Sequence, residues 1–195
     1  MKIIPFEERY REDVRAVCRA TTSDAFRTPK GDRALMLLYC DYYLDFHHDT
    51  TLIAVDEASD RAVGYVMCAP DFADYTATYR KHYLPRLRKE CGWRYDLMKR
   101  GDFLYSARFA KAYPALLHID ILPEAQRQGL GHRLIDALVA VLRQRGVGGV
   151  FLNVSATNEK GVGFYRKYGF RPLEKKYGGI VFGLKTDLDK AESAR

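Results

Sequence analysis

The most constraining feature of the sequence is a strand, a short loop and a helix that follow one another between positions 115 and 145. Ala115–Leu122 is mostly apolar, as in a buried strand, and Pro123 ends it. Gly129 and Gly131 then open Leu130–Arg145, whose apolar residues recur at helical spacing. The sequence therefore predicts an α/β fold in which a strand leads through a glycine-containing loop into a helix.

This loop is predicted to bind an anion. The first amides of a helix have no partner within the helix and carry partial positive charge, which suits a phosphate. A dinucleotide-binding loop would need a third glycine where Leu134 stands, and a Walker loop would need Gly-Lys-Ser or Gly-Lys-Thr. The pattern that remains is Gln126-x-x-Gly129-x-Gly131, although two glycines could also simply begin a helix.

A second pattern lies further along the chain. Another predicted strand is followed in order by Asn158, Phe164-Tyr165 and Gly169-Phe170. Over about residues 113–172, the two patterns together resemble the paired signatures of the GNAT superfamily of acyl-CoA-dependent N-acetyltransferases. The resemblance implies that this range is the acetyl-CoA-binding core. The resemblance implies a single domain over residues 1–195. The implied domain is α/β and has a mixed central sheet of about six or seven strands, splayed central strands and flanking helices.

The same resemblance implies acetyl-CoA as cofactor and direct acetyl transfer to a primary amine. Backbone amides of Ile121 and Leu122 would bind the thioester oxygen and the pantetheine arm, with ordinary ladder bonding as the alternative. Asn158 would bind the pantetheine amides, or act as a helix N-cap, or do both. The other implied cofactor residues are Gln126, Arg127, Gln128, Gly129, Leu130, Gly131, His132 and Tyr165.

Three side chains are candidates for proton transfer. His118 and Asp120 share one face of the strand because side chains alternate. An ammonium must lose a proton before it attacks a thioester, so Asp120 is the first candidate for the base and His118 the second. Tyr165 matches the family tyrosine that protonates the departing thiolate. If all three are structural, the function would be that of a non-catalytic acyl-CoA-binding or protein-interaction module.

A narrower resemblance concerns Tyr113–Pro123. This phrase resembles bacterial acetyltransferases related to the acetyltransferase-like C-terminal domain of O-GlcNAc hydrolases. The intact Gln126, Gly129 and Gly131 pattern predicts that cofactor binding survives here. The sequence departs from the family at position 161, where glycine replaces the common alanine, and Gly163 follows.

Hydrophobic periodicity predicts the remaining elements. Expected strands are Lys2–Pro5, Thr51–Asp56, Ala62–Ala69, Val150–Ser155 and Ile180–Lys185, and expected helices are Phe6–Ala20, Asp32–His47 and Asn158–Tyr168. Two strands are expected to close the domain, and the polar last ten residues are expected to fray.

Residues 70–111 are predicted to form a helical insert where many family members have a short connection. Aromatic residues interleaved with the ten basic residues of this insert could bind single-stranded nucleic acid. The spacing of Tyr75, Tyr79 and Tyr83 instead favours a helical packing stripe, which makes nucleic acid the weaker hypothesis. The insert could also form a lid over the acceptor or a homodimer face.

The net charge of +7 is divided unevenly along the chain. Residues 1–79 carry a net charge of −5, residues 80–111 of +7 and residues 112–195 of +5. We expect the anionic cofactor on the basic part and a cationic small-molecule or peptide amine near the acidic part. The acidic side chains in question are Asp24, Asp32, Asp41, Asp45 and Asp49, although a solvated helix face would explain them too.

The remaining composition excludes several classes. The longest apolar run, 34–40, is too short to span a membrane, and acidic residues follow the start too soon for a signal peptide. A cytoplasmic protein without a membrane partner is therefore expected. The four cysteines are 22, 28 and 23 residues apart, which indicates buried thiols rather than a metal site or a disulfide framework.

Overall fold

A computed structural model describes residues 1–186 of the chain. The strands are β1 (Lys2–Pro5), β2 (Leu52–Asp56), β3 (Arg61–Ala69), β4 (Ala115–Ile121), β5 (Gly149–Ser155), β6 (Arg171–Lys176) and β7 (Gly179–Lys185). The helices are α1 (Arg11–Thr21), α2 (Pro29–Leu35), α3 (Asp41–Phe46), α4 (Phe72–His82), α5 (Leu84–Cys91), α6 (Trp93–Ala110), α7 (Leu130–Gln144) and α8 (Glu159–Tyr168). The expected fraying of the last ten residues falls almost wholly on 187–195, outside the described residues.

The strands form one mixed sheet in the order β1-β2-β3-β4-β5-β7-β6. Within residues 1–186, β4 and β5 are the one parallel pair, and the other neighbours are antiparallel. Strand β1 lies at an edge of the sheet formed by residues 1–186, where Pro5 is tolerated because no described strand pairs with its outer side. This sheet with its flanking helices confirms the predicted α/β fold class.

The two central strands separate soon after they begin. The parallel ladder joins Ala115 to Val150 and Leu116 to Phe151, and pairs no later residues of β4 and β5. Strand β4 remains paired with β3 as far as Ile121, while β5 remains paired with β7. A wedge-shaped opening therefore lies between the C-terminal halves of β4 and β5, which confirms the predicted splay.

Two apolar cores hold helices against opposite faces of the sheet. Along β3, Tyr65 and Met67 join one core, whereas Val66 and Cys68 join the other, because successive side chains point to opposite faces. The first core takes residues of α1 to α6, and the second takes the apolar stripe of α7 and part of α8. The motif-bearing helices α7 and α8 thus share one face of the sheet.

The segment 70–111 folds into the three helices α4, α5 and α6. Tyr75, Tyr79 and Tyr83 are at most 1% exposed and belong to the first core. The packing interpretation of this stripe is therefore right, and these rings offer no stacking surface for bases. Lys99 is buried beside them, with its Nζ 5.2 Å from the ring centres of Tyr79 and Phe103, so part of the basic charge is internal.

Two predicted helices differ from the structure. Helix α1 begins at Arg11 rather than Phe6, because Glu8–Tyr10 forms a single 3₁₀ turn. The helix expected over Asp32–His47 is interrupted by a π-turn, Met36–Cys40, between α2 and α3. An i→i+5 turn holds an extra residue, and four of the five side chains here, Met36, Leu37, Leu38 and Cys40, are buried. Of the two strands expected to close the domain, the first is β6, for which the sequence predicted no bounds.

The structure shows the state of the cysteines and the length and apolar character of the helices. All four cysteines are free and buried, as their spacing indicated. Among residues 1–186, we find no helix whose length and apolar character would let it cross a bilayer.

Candidate active site

The opening between β4 and β5 determines which backbone groups of β4 are available. The amide of Leu122 donates to the carbonyl of Val63 at 2.9 Å. The prediction of an unpaired Leu122 amide is therefore wrong, and the ladder alternative holds there. Backbone groups of antiparallel strands alternate between their two sides, so the amide of Ile121 points away from β3 and toward the opening.

The loop between β4 and α7 is held by two glutamine side chains. The Nε2 of Gln126 donates to the carbonyl of Ile121 at 2.9 Å, and the Nε2 of Gln128 donates to the carbonyl of Glu124 at 3.1 Å. Arg127 and Gly129 have left-handed backbone conformations, with φ of +61° and +73°. These contacts fold the loop back onto the end of β4, immediately before α7 begins at Leu130.

Glycine is favoured at positions 129 and 131 for two different structural reasons. A Cβ at Gly129 would meet no atom within 4 Å, so the space beside this left-handed turn is open. A Cβ at Gly131 would lie 3.0 Å from the ring of Phe164, so glycine there allows α7 to approach α8 closely. The ring of His132 also packs against Phe164 and Tyr168, with centroid distances of 5.3 and 5.4 Å. The two sequence motifs therefore contact each other directly.

Asn158 is the N-cap of α8. Its Oδ1 accepts a hydrogen bond from the amide of Gly161 at 2.9 Å. A Cβ at position 161 would lie 2.8 Å from Nδ2 of Asn158, so glycine at this position allows the Asn158 amide to lie this close to the helix. The capping bond uses Oδ1, so Nδ2 is the atom by which Asn158 could contact a cofactor.

Tyr165 is packed in the second core, and the charge of Asp120 acts on it. It is 8% exposed, and its ring lies 5.4 Å from that of Phe170 and 5.8 Å from that of Phe182. Burial, together with the charge of Asp120, raises the pKa of the Tyr165 phenol. The phenol therefore keeps its proton at neutral pH, as a general acid must.

His118 and Asp120 form a hydrogen-bonding pair on one face of β4. The Nε2 of His118 lies 3.1 Å from Oδ2 of Asp120, and the hydroxyl of Tyr65 donates to the same oxygen at 2.6 Å. The rings of Tyr39 and Tyr65 flank His118. Because 30% of the His118 side chain and 23% of the Asp120 side chain remain exposed, the pair is accessible as well as ordered.

Cys18 of α1 completes this cluster, although sequence reasoning did not select it. Its sulfur, a nitrogen of His118 and an oxygen of Asp120 lie within 4.8 Å of one another. A hydrogen bond with Cys40 and the proximity of His118 lower the pKa of the Cys18 thiol to about 6 in spite of burial. Burial acts to lower the pKa of His118, but Asp120 and Cys18 raise it to about 10, so His118 is protonated at neutral pH.

The five aspartates expected to attract a cationic acceptor are each paired with an arginine. The pairs are Asp24–Arg27, Asp32–Arg19, Asp41–Arg15, Asp45–Arg11 and Asp49–Arg145. Because their charges are compensated, these side chains give no support to a cationic acceptor. The carboxylate that does lie on the central strand of the opening is Asp120.

Comparison with known proteins agrees with this geometry. The sequence model of the Acetyltransferase (GNAT) family matches residues 15–170, which include both motifs. The ribosomal protein bS18-alanine N-acetyltransferase of Escherichia coli strain K12 is 40% identical over 55 residues. Those residues are 28% of this chain and 37% of that protein, so the match spans little more than a third of the relative.

Solved structures share the fold over nearly the whole chain. The crystal structure of SsHAT has a TM-score of 0.84 at 24% sequence identity, covering 96% of this chain and 98% of that one. The PaiA N-acetyltransferase of Thermoplasma acidophilum, solved in complex with coenzyme A, has a TM-score of 0.61 at 13% identity, covering 94% and 98%.

The narrower resemblance to relatives of the O-GlcNAc hydrolase domain stays a prediction. The broader assignment rests on the family match over most of the chain, the splayed central strands and the contact between the two motifs. This chain belongs to the GNAT family of acetyltransferases.

Proposed function

We propose that this chain is an acetyl-CoA-dependent N-acetyltransferase that moves an acetyl group directly onto a primary amine. The observation that carries the proposal is the opening between β4 and β5, because Asp120 lies on one of its strands and the charge of Asp120 acts on Tyr165. Asp120 lies on β4, and Tyr165 is close enough for the charge of Asp120 to raise its pKa. A thioester in the opening would lie near both a proton acceptor and a proton donor.

Coenzyme A would be held by the loop and the first turn of α7. The amides at this helix start, which receive no side-chain cap within residues 1–186, the open space beside Gly129 and the exposed Arg127 suit a pyrophosphate. The Nδ2 of Asn158 would contact the pantetheine arm. Acetyl-CoA supplies the activated acetyl group, and the Ile121 amide would stabilise the negative charge that develops on the thioester oxygen.

Asp120 is the base in this proposal. A lysine-like amine has a pKa near 10.4, so a proton must be removed before it can attack. His118 already holds a proton because its pKa is raised to about 10, which suits it to orienting Asp120 rather than to accepting a proton. Tyr165 would donate its retained proton to the departing thiolate.

The acceptor would be a small-molecule or peptide amine whose ammonium is drawn to Asp120. A relative whose substrate is an alanine of a ribosomal protein supports including peptide amines. We place the reaction in the cytoplasm, since four free, buried cysteines are typical of a reducing compartment.

A non-catalytic acyl-CoA-binding module is the second candidate. The observation that favours it is that each catalytic candidate also has a structural explanation. Asp120 is satisfied by Tyr65 and His118, and Tyr165 packs among aromatic rings. Such a module would bind coenzyme A through the same loop and transfer nothing.

Calorimetry with acetyl-CoA and desulfo-CoA, followed by an amine panel, separates these functions. The panel contains a polyamine, an amino sugar, a lysine peptide and a peptide with N-terminal alanine, with acetylated products detected by mass spectrometry. Binding of both cofactors and acetylation of at least one amine are expected. Absence of heat with either cofactor would contradict the loop assignment, and binding without any product would favour the non-catalytic module.

A further inference from the structure

The cluster of Cys18, His118 and Asp120 brings together three kinds of metal ligand from two distant parts of the chain. Cys18 lies on α1, which packs against β3 and β4, and the other two residues project from one face of β4. The three donor atoms lie within 4.8 Å of one another, and the His118 Nε2 and Asp120 Oδ2 are 3.1 Å apart. Two ligands about 2.1 Å from a tetrahedral metal are about 3.4 Å apart, so small side-chain movements would suffice.

We propose that Cys18, His118 and Asp120 form a binding site for a Zn²⁺ ion, and that zinc bound there blocks acetyl transfer. The site itself is independent of the proposed function, whereas the inhibition rests on it. Sequence spacing could not indicate this site, because Cys18 lies a hundred residues before His118 and no pair of cysteines has metal-binding spacing.

The donor set favours zinc over calcium and magnesium. A thiolate, an imidazole and a carboxylate are all ligands that Zn²⁺ accepts, and three protein ligands leave a fourth tetrahedral position for water. Calcium and magnesium prefer oxygen ligands throughout, so a site with one sulfur and one nitrogen discriminates against both.

Neighbouring groups support the ligands and leave a route of entry. The hydroxyl of Tyr65 donates to Asp120, which fixes the carboxylate in the manner of an outer-shell partner. Cys18 is only 2% exposed, but the partly exposed side chains of His118 and Asp120 leave the site open from their side. A metal would therefore reach the sulfur past the His–Asp pair.

Zinc in this position would displace the proton that His118 otherwise holds, since a ligating imidazole must be neutral. It would also remove the groups that the proposed reaction needs. Asp120 would coordinate the metal through the oxygens that otherwise accept a proton, and His118 could no longer orient it. The metal would also carry positive charge at the point where an ammonium has to approach.

Cobalt and zinc titrations of the EDTA-treated chain, without coenzyme A, test the site directly. Co²⁺ should bind with one equivalent and give the charge-transfer absorption of a thiolate–cobalt bond, which Zn²⁺ then abolishes. Cys18→Ser should lose that absorption and bind Zn²⁺ at least about tenfold more weakly. Tenfold is the lower end of the loss in metal affinity that follows removal of even an outer-shell partner. Cys68→Ala, which removes a buried thiol from the opposite core, is the matched control and should behave as wild type.

A second variant guards against misfolding of Cys18→Ser. His118→Phe keeps an aromatic ring between Tyr39 and Tyr65, and should also weaken Zn²⁺ binding at least about tenfold. Absence of the cobalt band in wild type, or equal zinc affinity in wild type and both variants, would overturn the site.

The inhibition is measured separately, with zinc in excess over coenzyme A because the thiol product binds zinc. Acetylated amine should disappear when Zn²⁺ is added and return with EDTA, and half-inhibition should require at least about tenfold more zinc in Cys18→Ser. Metal binding without inhibition would overturn the inhibitory role alone. A metal-free chain that acetylates no amine but shows the cobalt band would contradict the proposed function and leave the site standing.

Discussion

The hydroxyl of Tyr65 lies 2.6 Å from Oδ2 of Asp120, joining a fully buried side chain of β3 to the proposed base on β4. Tyr65→Phe removes this donor to a charged group and should lower the free energy of unfolding by about 1.5–3 kcal/mol. Tyr177→Phe, at a tyrosine that is 82% exposed, should change it by less than about 0.5 kcal/mol. Urea denaturation measures both, and equal effects would show that the Tyr65 hydrogen bond is not important for folding.

Two glycines in open space should respond oppositely to alanine. Gly129 has φ of +73° and Gly163 lies inside α8, and a Cβ at either position would meet nothing within 4 Å. Gly129→Ala should destabilise the chain by about 1–2 kcal/mol because of its left-handed backbone. Gly163→Ala should stabilise it by up to about 1 kcal/mol through helix propensity. Changes of the same sign in urea unfolding would contradict this account of the loop.

Asn158→Asp and Asn158→Ala should separate helix capping from cofactor binding. Aspartate retains an oxygen for the amide of Gly161 but loses Nδ2, so stability should be kept while affinity for coenzyme A falls. Alanine should lose the cap as well and destabilise the chain by about 0.5–2 kcal/mol. Denaturation and calorimetry on both variants measure the two effects. Unchanged affinity in the aspartate variant would exclude Asn158 as a cofactor ligand.

His47 should make the fold sensitive to mild acid. It is 7% exposed, and burial lowers the pKa of its imidazole below 6.5. As the pH falls below about 6.5, the unfolded chain binds a proton that the folded chain does not. The free energy of unfolding should therefore fall by up to about 1.4 kcal/mol per pH unit until the folded-state pKa is reached.

His47→Gln isolates this contribution. The variant should flatten the decline in stability between about pH 5 and 6.5, whereas His48→Gln, at the exposed neighbouring position, should leave it unchanged. Urea unfolding at a series of pH values gives the slopes. Identical slopes in wild type and His47→Gln would assign the acid sensitivity to other groups.

The sequence predicted the parts of the fold that depend on local pattern. The strand before Pro123, the loop and α7 follow from periodicity and glycine positions, and the Tyr75, Tyr79 and Tyr83 stripe follows from helical spacing. The π-turn at 36–40 was missed because an apolar run carries no sign of where an extra residue is accommodated.

Tertiary contacts explain what the sequence could not show of the site. Cys18 continues the buried face of α1, and nothing local distinguishes a thiol that packs from one that meets His118. The pairing of Leu122 with Val63 depends on the register of β3, and Asp49, one of the aspartates expected to attract a cation, meets Arg145 from 96 residues away. Each depends on long-range packing rather than on spacing.

The most direct test of the account is the initial rate of acetyl transfer at saturating acetyl-CoA in wild type and Asp120→Asn. Dissociation constants for coenzyme A and unfolding free energies are measured on the same preparations. If Asp120 is the base, the rate should fall by about 10²–10⁴-fold while cofactor affinity stays within about twofold. A rate within about twofold of wild type in a folded, cofactor-binding Asp120→Asn variant would contradict the account.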